Sequence, residues 1–286
     1  MTGFQHGVAI VTGGASGIGR ALCHALAIRG AKVIVADINT EGAQAVAMAI
    51  GQHGGQATAH TVDVADLHSV NQLVQHTVAT HQRVDYMFNN AGIAVTADAR
   101  DLQLEHWNKV IAVNLLGVIY GVQAAYPIMA QQRHGHIVNT ASLAGLLPYP
   151  TNLPYATTKH AVVGLSLSLR AEAADLGVNV SVVCPGWVQS GIYAASPILN
   201  VRREEVPQAL PFKLMETDTA ARRILAGVAR NQPLIVFPFY ARVLWWVYRM
   251  RATWLNALGF KLIRELRRLR LPGEAEHDHQ SGHVKE

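Results

Sequence analysis

The stretch GVAIVTGGASGIGR, residues 7–20, decides how this chain folds. Val8 to Val11 form a short apolar run rich in β-branched residues, which reads as a buried strand. Gly13, Gly17 and Gly19 follow, and an apolar-periodic helix over 17–29 opens among them. Glycines at such a junction let the backbone turn tightly and approach a ligand closely. The first turn of the helix then offers unpaired N–H groups to a pyrophosphate. The spacing is G-x-x-x-G-x-G rather than G-x-G-x-x-G, so the placement between strand and helix carries the reading. Ser16 and Ile18 belong to the same candidate phosphate loop.

Outward from this loop the pattern repeats. Further strands are predicted at 31–37, 57–64, 84–92, 135–142, 178–186 and 233–238. Helices are predicted over 40–52, 67–81, about 105–132, 153–176 and 217–230. Strands alternating with helices imply a Rossmann-like α/β fold, a doubly wound seven-stranded parallel sheet covered on both faces, with right-handed crossovers. The chain of 286 residues then divides into a catalytic, cofactor-binding domain over 1–238, a basic, tryptophan-rich helical extension over 239–271, and a disordered tail over 272–286.

Half of the residues are hydrophobic and 15% are charged, which excludes disorder for the bulk of the chain. Two cysteines, Cys23 and Cys184, make no disulfide framework and suit a reducing, cytoplasmic setting. Strand-like alternation begins at residue 7, so no secretory leader is expected. Hydropathy gives no expectation of a membrane-spanning helix: the best candidate, PLIVFPFYARVLWWVY at 233–248, contains two prolines and Arg242. The net charge of +5 is concentrated, because residues 241–270 hold eight basic residues against Glu265 as their only acid.

Asp37 ends the second predicted strand, where a carboxylate meets the hydroxyls of an adenosine ribose and repels a 2′-phosphate. No basic residue follows at Ile38 or Asn39, so NAD(H) is expected over NADP(H). The competing reading is a capping aspartate for the next helix. YATTK places Tyr155 and Lys159 four residues apart on one helix face. A neighbouring ammonium favours the ionised phenol, which makes Tyr155 a proton-transfer candidate. Ser142 ends the fifth predicted strand, thirteen residues upstream.

With these residues on the page, the chain from about 7 to 238 resembles the classical short-chain dehydrogenase/reductase family. TGGASGIG resembles the family's cofactor loop, NNAG (89–92) its fourth-strand motif, and PGWVQS (185–190) the motif after its sixth strand, with Ser190 where threonine is commoner. Asn114, Ser142, Tyr155 and Lys159 match its catalytic tetrad. The resemblance implies that Tyr155 exchanges a proton with an alcohol or carbonyl, and that Ser142 binds the substrate oxygen. It further implies that Lys159 binds the nicotinamide ribose and, with the nicotinamide's positive charge, lowers the phenol pKa, and that Asn114 holds a water for proton relay. Asp63, Val64, Asn90, Ala91, Gly92, Pro185, Gly186 and Val188 join the expected cofactor contacts on the same ground. The family chemistry implied is NAD(H)-dependent alcohol–carbonyl interconversion. A 3-oxoacyl-carrier-protein type of reductase is the enzymatic alternative, although such reductases usually prefer NADPH and lack this extension. A non-catalytic NAD(H) sensor or scaffold is the alternative from another class. Relatives are commonly dimers or tetramers through the two long helices.

Residues expected at the substrate are largely apolar: Leu143, Tyr149, Trp187, Ile192 and Tyr193 beside Ser142. They favour a lipophilic alcohol or ketone, under a lid formed by the long segment after Ser190. Among the fourteen histidines, His134, His136 and His160 read as structural or solvated and the tail's HDHQSGH as a weak metal-like cluster on a disordered segment; no carboxylate or cysteine completes a site, so no metal is expected. For 241–270, Trp245, Trp246 and Trp254 with flanking arginines suit peripheral contact with a membrane on its cytoplasmic face. They suit equally well packing against the enzyme body or a second subunit. No nucleic-acid module accompanies the charge, and Gly259 is the expected break between two shorter helices.

Overall fold

The computed structural model describes residues 3–201 and 214–269; the side chains of Tyr193, Ala194, residues 254–258 and Leu262 fall outside that description. Expectations for Tyr193, Trp254, most of the lid and the histidine-rich tail therefore lie outside the described residues.

Seven strands form one sheet in the order β3-β2-β1-β4-β5-β6-β7, and every pairing is parallel. They are β1 Val8–Thr12, β2 Lys32–Asp37, β3 Gln56–Thr61, β4 Tyr86–Asn89, β5 Gly135–Thr140, β6 Val178–Pro185 and β7 Leu234–Phe237. Strands β1, β4 and β5 are buried along their whole length, as residues covered on both faces must be. Strand β3 lies at the edge, and its QATAHT alternates between exposed and half-buried positions. The order reverses at β1, which pairs with β2 on one side and β4 on the other, opening a crevice beyond their C-terminal ends.

Helices α1 Gly17–Ala27, α2 Thr40–Gln52 and α8 Thr217–Ala229 pack on one face around Val11, Leu22, Val35, Val46 and Ile224. Helices α3 Leu67–His81, α5 Gly117–Gln132 and α6 Leu153–Ala173 cover the other, around Ile10, Leu73, Met87, Val122 and Leu169. The expected single helix at 105–132 is instead α4 Leu104–Ile111, a π-helical turn Ala112–Leu116, and α5. A π turn accommodates one extra residue, and here it falls on Asn114.

Contrary to the hydropathy expectation, Leu104–Gln132 is long and apolar enough to cross a membrane by length and composition. Its Val118, Gly121, Val122, Ala125 and Met129 are buried within the fold, which accounts for the apolar run.

A short α7, Ile192–Ala195, follows β6. The C-terminal extension forms α9 Phe239–Met250, a 3-10 turn Ala252–Leu255, and α10 Asn256–Arg268. The break falls at Arg251, whose backbone is extended, and not at Gly259, which sits inside α10. Ala241 and Trp245 pack with the cluster around Val118, Val162, Val182 and Cys184, whereas Trp246 is 64% exposed. The tryptophans therefore divide between the protein interior and the surface.

Candidate active site

The loop after β1 has the shape its glycines imply. Gly13 and Gly17 have φ of +67° and +52°, a region where L side chains are strained. A Cβ on Gly17 would lie 2.5 Å from the Ser190 carbonyl oxygen, and one on Gly13 would lie 2.9 Å from Ala91 Cα. The loops after β1, β4 and β6 thus meet at backbone distance. Ser16 precedes α1 without capping it through its side chain, which leaves the first-turn N–H groups of Gly17, Ile18 and Gly19 for a ligand. This uncapped terminus in a glycine cradle fits a dinucleotide pyrophosphate.

Asp37 does not cap α2; Asn39 does, accepting from Gly42 N at 3.0 Å. Instead the Asp37 carboxylate accepts from Ala15 N and Asn39 N, both at 2.9 Å, and so braces the glycine loop from the end of β2. Asp63 accepts from Ala65 N at 2.9 Å, with the buried Val64 beside it, beyond the end of β3. Asn90 and Ala91 both donate their backbone N–H to Thr12 Oγ1, at 2.9 and 3.1 Å, and Asn90 Nδ2 reaches Thr12 O at 3.0 Å. Thr12 opens TGGASGIG, but its role in holding Asn90 and Ala91 was not legible in sequence, because those partners lie 78 and 79 residues away.

Asn114 is fully buried and its amide is fully employed. Its Oδ1 accepts from Ile93 N and its Nδ2 donates to Ile93 O, each at 2.8 Å, with Thr158 Oγ1 at 3.4 Å. The side chain is thus a clamp on the loop after NNAG, and a water held by Asn114 would fall to its main chain. Gly92 lies beside both groups: a Cβ there would be 3.3 Å from Asn114 Oδ1 and 3.5 Å from Lys159 Nζ.

Ser142, Tyr155 and Lys159 converge at the ends of β5 and β6. Ser142 caps the turn after β5, accepting from Ala144 N at 3.1 Å, and its side chain hydrogen-bonds to the Tyr155 phenol. Lys159 is buried, donates to Thr140 O at 2.8 Å and lies 5.5 Å from the centre of the Tyr155 ring. Burial pushes the phenol up to about 12, while the Ser142 bond draws it down. Burial also brings Lys159 down to about 8. Desolvation is the largest cause of both shifts, each toward the neutral form. Cys184 is a buried thiol next to Lys159 and the Ser142 backbone, and burial pushes it up to about 12.

Beyond Ser142, Trp187 Nε1 donates to Tyr149 Oη at 3.4 Å, and Trp187 N donates to Tyr240 Oη at 2.8 Å. Gly186 allows this approach, since a Cβ on it would lie 2.6 Å from the same oxygen. Pro185 ends β6 buried, and Val188 is buried while bridging to Met215. Leu143 belongs with Leu115, Leu146 and Tyr240 at the edge of the interior cluster, and Ile192 is half-buried at the start of α7.

A rim closes around residues 96–98. Thr96 N donates to Pro197 O at 3.0 Å, Leu199 N to Thr96 O at 3.0 Å, and Ala97 N to Thr151 O at 2.8 Å. Arg267 Nε of α10 donates to the buried Asp98 Oδ2 at 2.7 Å, and Gly259 packs near Pro150. Arg100 bonds the same carboxylate and, with Arg267, holds it well below the usual carboxylate range. The extension thus spans the loops after β4 and β5.

Comparison with known proteins agrees with this geometry. The short chain dehydrogenase family model matches residues 7–197. A cyclohexanol dehydrogenase of Acinetobacter is 37% identical over 74% of this chain and 89% of its own length. A 3-oxoacyl-[acyl-carrier-protein] reductase of Synechocystis is 36% identical over 78% of this chain and 94% of its own. A Burkholderia phymatum short-chain dehydrogenase/reductase, solved in complex with NAD, superposes with a TM-score of 0.75 at 26% identity, covering 96% of this chain and 99% of that one. The family model, the identities and the shared fold together show that the chain belongs to the short-chain dehydrogenase/reductase family.

Proposed function

We propose that this oxidoreductase uses NAD(H) to interconvert a secondary or primary alcohol and its carbonyl on a lipophilic substrate. The observation that carries the reading is the Tyr155 phenol, hydrogen-bonded to Ser142 and underlain by the buried Lys159. A phenol held near 12 is protonated at neutral pH, the state needed to give its proton to a carbonyl oxygen. The Ser142 hydroxyl binds that same oxygen and stabilises charge as it develops. As Tyr155 loses its proton, the neighbouring Lys159 ammonium supplies compensating positive charge that favours the phenolate. Asn114 keeps the loop after NNAG in place beside Lys159. The bound nicotinamide would supply or accept the hydride and, when oxidised, add positive charge near the phenol. The backbone of Gly17, Ile18 and Gly19 would hold its pyrophosphate, and Asp37 and Asp63 its adenosine end.

Preference for NAD(H) is supported by the Asp37 carboxylate at the loop and by the exposed, uncharged Ile38 after it. The Burkholderia relative in complex with NAD is consistent with it. Lipophilic substrates are supported by Tyr149, Trp187 and Tyr240 beyond Ser142, and by the cyclohexanol dehydrogenase among the relatives. Self-association through α4–α5 and α6 is carried over from the family resemblance, and free Cys23 and Cys184 suit a cytoplasmic setting.

Replacing Tyr155 with Phe should lower turnover of lipophilic alcohols by about 10²–10⁴-fold while NADH binding, followed by fluorescence, stays intact. Near-normal turnover would sink the assignment. Faster turnover of a 3-oxoacyl thioester with NADPH than of any free alcohol with NAD would favour the carrier-protein reductase instead. NADH binding with no activity across a panel of alcohols and ketones would leave a sensor.

A further inference from the structure

Two surface features away from the catalytic crevice meet at Arg242. The first is a stripe on α9. Phe239, Val243, Trp246 and Met250 are spaced four, three and four residues apart, so they fall on one face, and all four are exposed. The opposite face is used by the interior, through Ala241 and Trp245. Arg242 and Arg249 border the stripe on one flank, with the Arg249 guanidinium 5.2 Å over the Trp245 ring.

The second feature is an open cleft between α8, β7 and α9. Arg222, Arg223, Arg230 and Arg242 line it with Thr219 and Gln232, and its lining contains no acidic residue. Arg222 bonds Thr219 at 2.7 Å and Arg242 bonds Val236 O at 2.7 Å, so two of the four guanidiniums are already oriented. Concentrated positive charge next to an exposed aromatic and aliphatic stripe matches one kind of surface, an array of phosphates over hydrocarbon.

We propose that this face docks onto an anionic phospholipid membrane, with lipid phosphates in the arginine cleft and the Phe239–Val243–Trp246–Met250 stripe at the boundary between headgroups and acyl chains. A second copy of the chain fits the face poorly, because a two-fold pairing would set arginine against arginine. Nucleic acid would satisfy the arginines and leave the stripe in water. Docking uses none of the residues assigned to catalysis, so it stands or falls separately from the chemistry at Tyr155. Where the chemistry does hold, docking would bring a membrane-dissolved alcohol or ketone to the enzyme.

The test is flotation of the full-length protein with phosphatidylcholine vesicles, with and without phosphatidylglycerol. Wild type should float with the anionic vesicles, and do so less as salt rises. Arg222→Gln/Arg223→Gln/Arg230→Gln should weaken that binding by about 100-fold, at about fivefold per arginine. Trp246→Ser should weaken it several-fold, and the wild type's tryptophan fluorescence should shift blue on anionic vesicles more than the variant's. Unchanged melting and NADH binding would show both variants folded. The proposal fails if wild type does not float with phosphatidylglycerol, or if either variant floats as wild type does. It fails equally if inorganic phosphate binds the cleft while vesicles do not, or if light scattering shows that Trp246→Ser dissociates a dimer without changing flotation.

Discussion

Lys159 Nζ donates to the carbonyl oxygen of Thr140 at 2.8 Å and so is fixed under the Tyr155 ring, 5.5 Å from its centre. Both groups pay for burial in the same way, by being driven toward neutrality: Tyr155 up to about 12 and Lys159 down to about 8. A lysine kept there for stability alone would be a poor choice.

Lys159→Met separates the two roles. The folded pKa of Lys159 lies below its ordinary 10.5, so the folded state disfavours the charged form, and at neutral pH removing the charge relieves that penalty. Loss of the bond to Thr140 opposes the gain by about 1–3 kcal/mol. Thermal unfolding should therefore show a Tm within a few degrees of wild type, while turnover falls by at least about 10²-fold. A collapse in Tm with proportionate loss of activity would make Lys159 a structural residue.

Asp37 and Ile38 give a test of cofactor choice. Asp37→Asn keeps an oxygen for Ala15 N or Asn39 N but removes the charge that would repel a 2′-phosphate, and Ile38, 67% exposed, can become Arg without repacking. The double variant should raise the NADPH-to-NADH ratio of kcat/KM by about tenfold or more, equivalent to about 1.4 kcal/mol. Comparable kcat/KM for the two cofactors in wild type would overturn the preference from the start.

Arg267 ties α10 to the rim. Arg267→Ala removes its bond to Asp98 while Arg100 continues to neutralise that carboxylate, so overall stability should change by no more than about 1 kcal/mol. If α10 helps to frame the entrance, KM for bulky lipophilic alcohols should shift several-fold while kcat for a small cyclic alcohol stays constant. Equal KM values for bulky substrates in the two proteins would remove α10 from the entrance.

His136 predicts acid sensitivity. It is buried in β5, paired with Ser181 Oγ at 2.9 Å, and burial brings it down to about 3 from an ordinary 6.5. Below about pH 6.5 the unfolded chain therefore binds a proton that the folded chain refuses, and stability drains at up to about 1.4 kcal/mol per pH unit. Urea unfolding at neutral pH and near pH 4.5 should show a loss of roughly 2–3 kcal/mol that His136→Asn reduces. An identical loss in the variant would assign the acid limb to other groups.

The amino-acid order alone determined the parallel α/β sheet and the tight glycine loop after β1, because both are written locally. Strand and helix periods alternate within a few residues, and Gly13 and Gly17 stand where φ turns positive. The i, i+4 placement of Tyr155 and Lys159 was equally legible, since a helix sets it. Tertiary structure decided everything that depends on burial or on partners far along the chain. It made Asp37 a brace and left the capping to Asn39, turned the Asn114 amide into a clamp on Ile93, and brought Thr12 to Asn90 and Arg267 to Asp98. It drove the phenol up and the ammonium down, because desolvation exists only once the sheet and helices have closed around them. It also settled how two adjacent tryptophans divide. One turn of helix sends Trp245 inward and Trp246 outward, and which way the helix faces is fixed by the body it packs on.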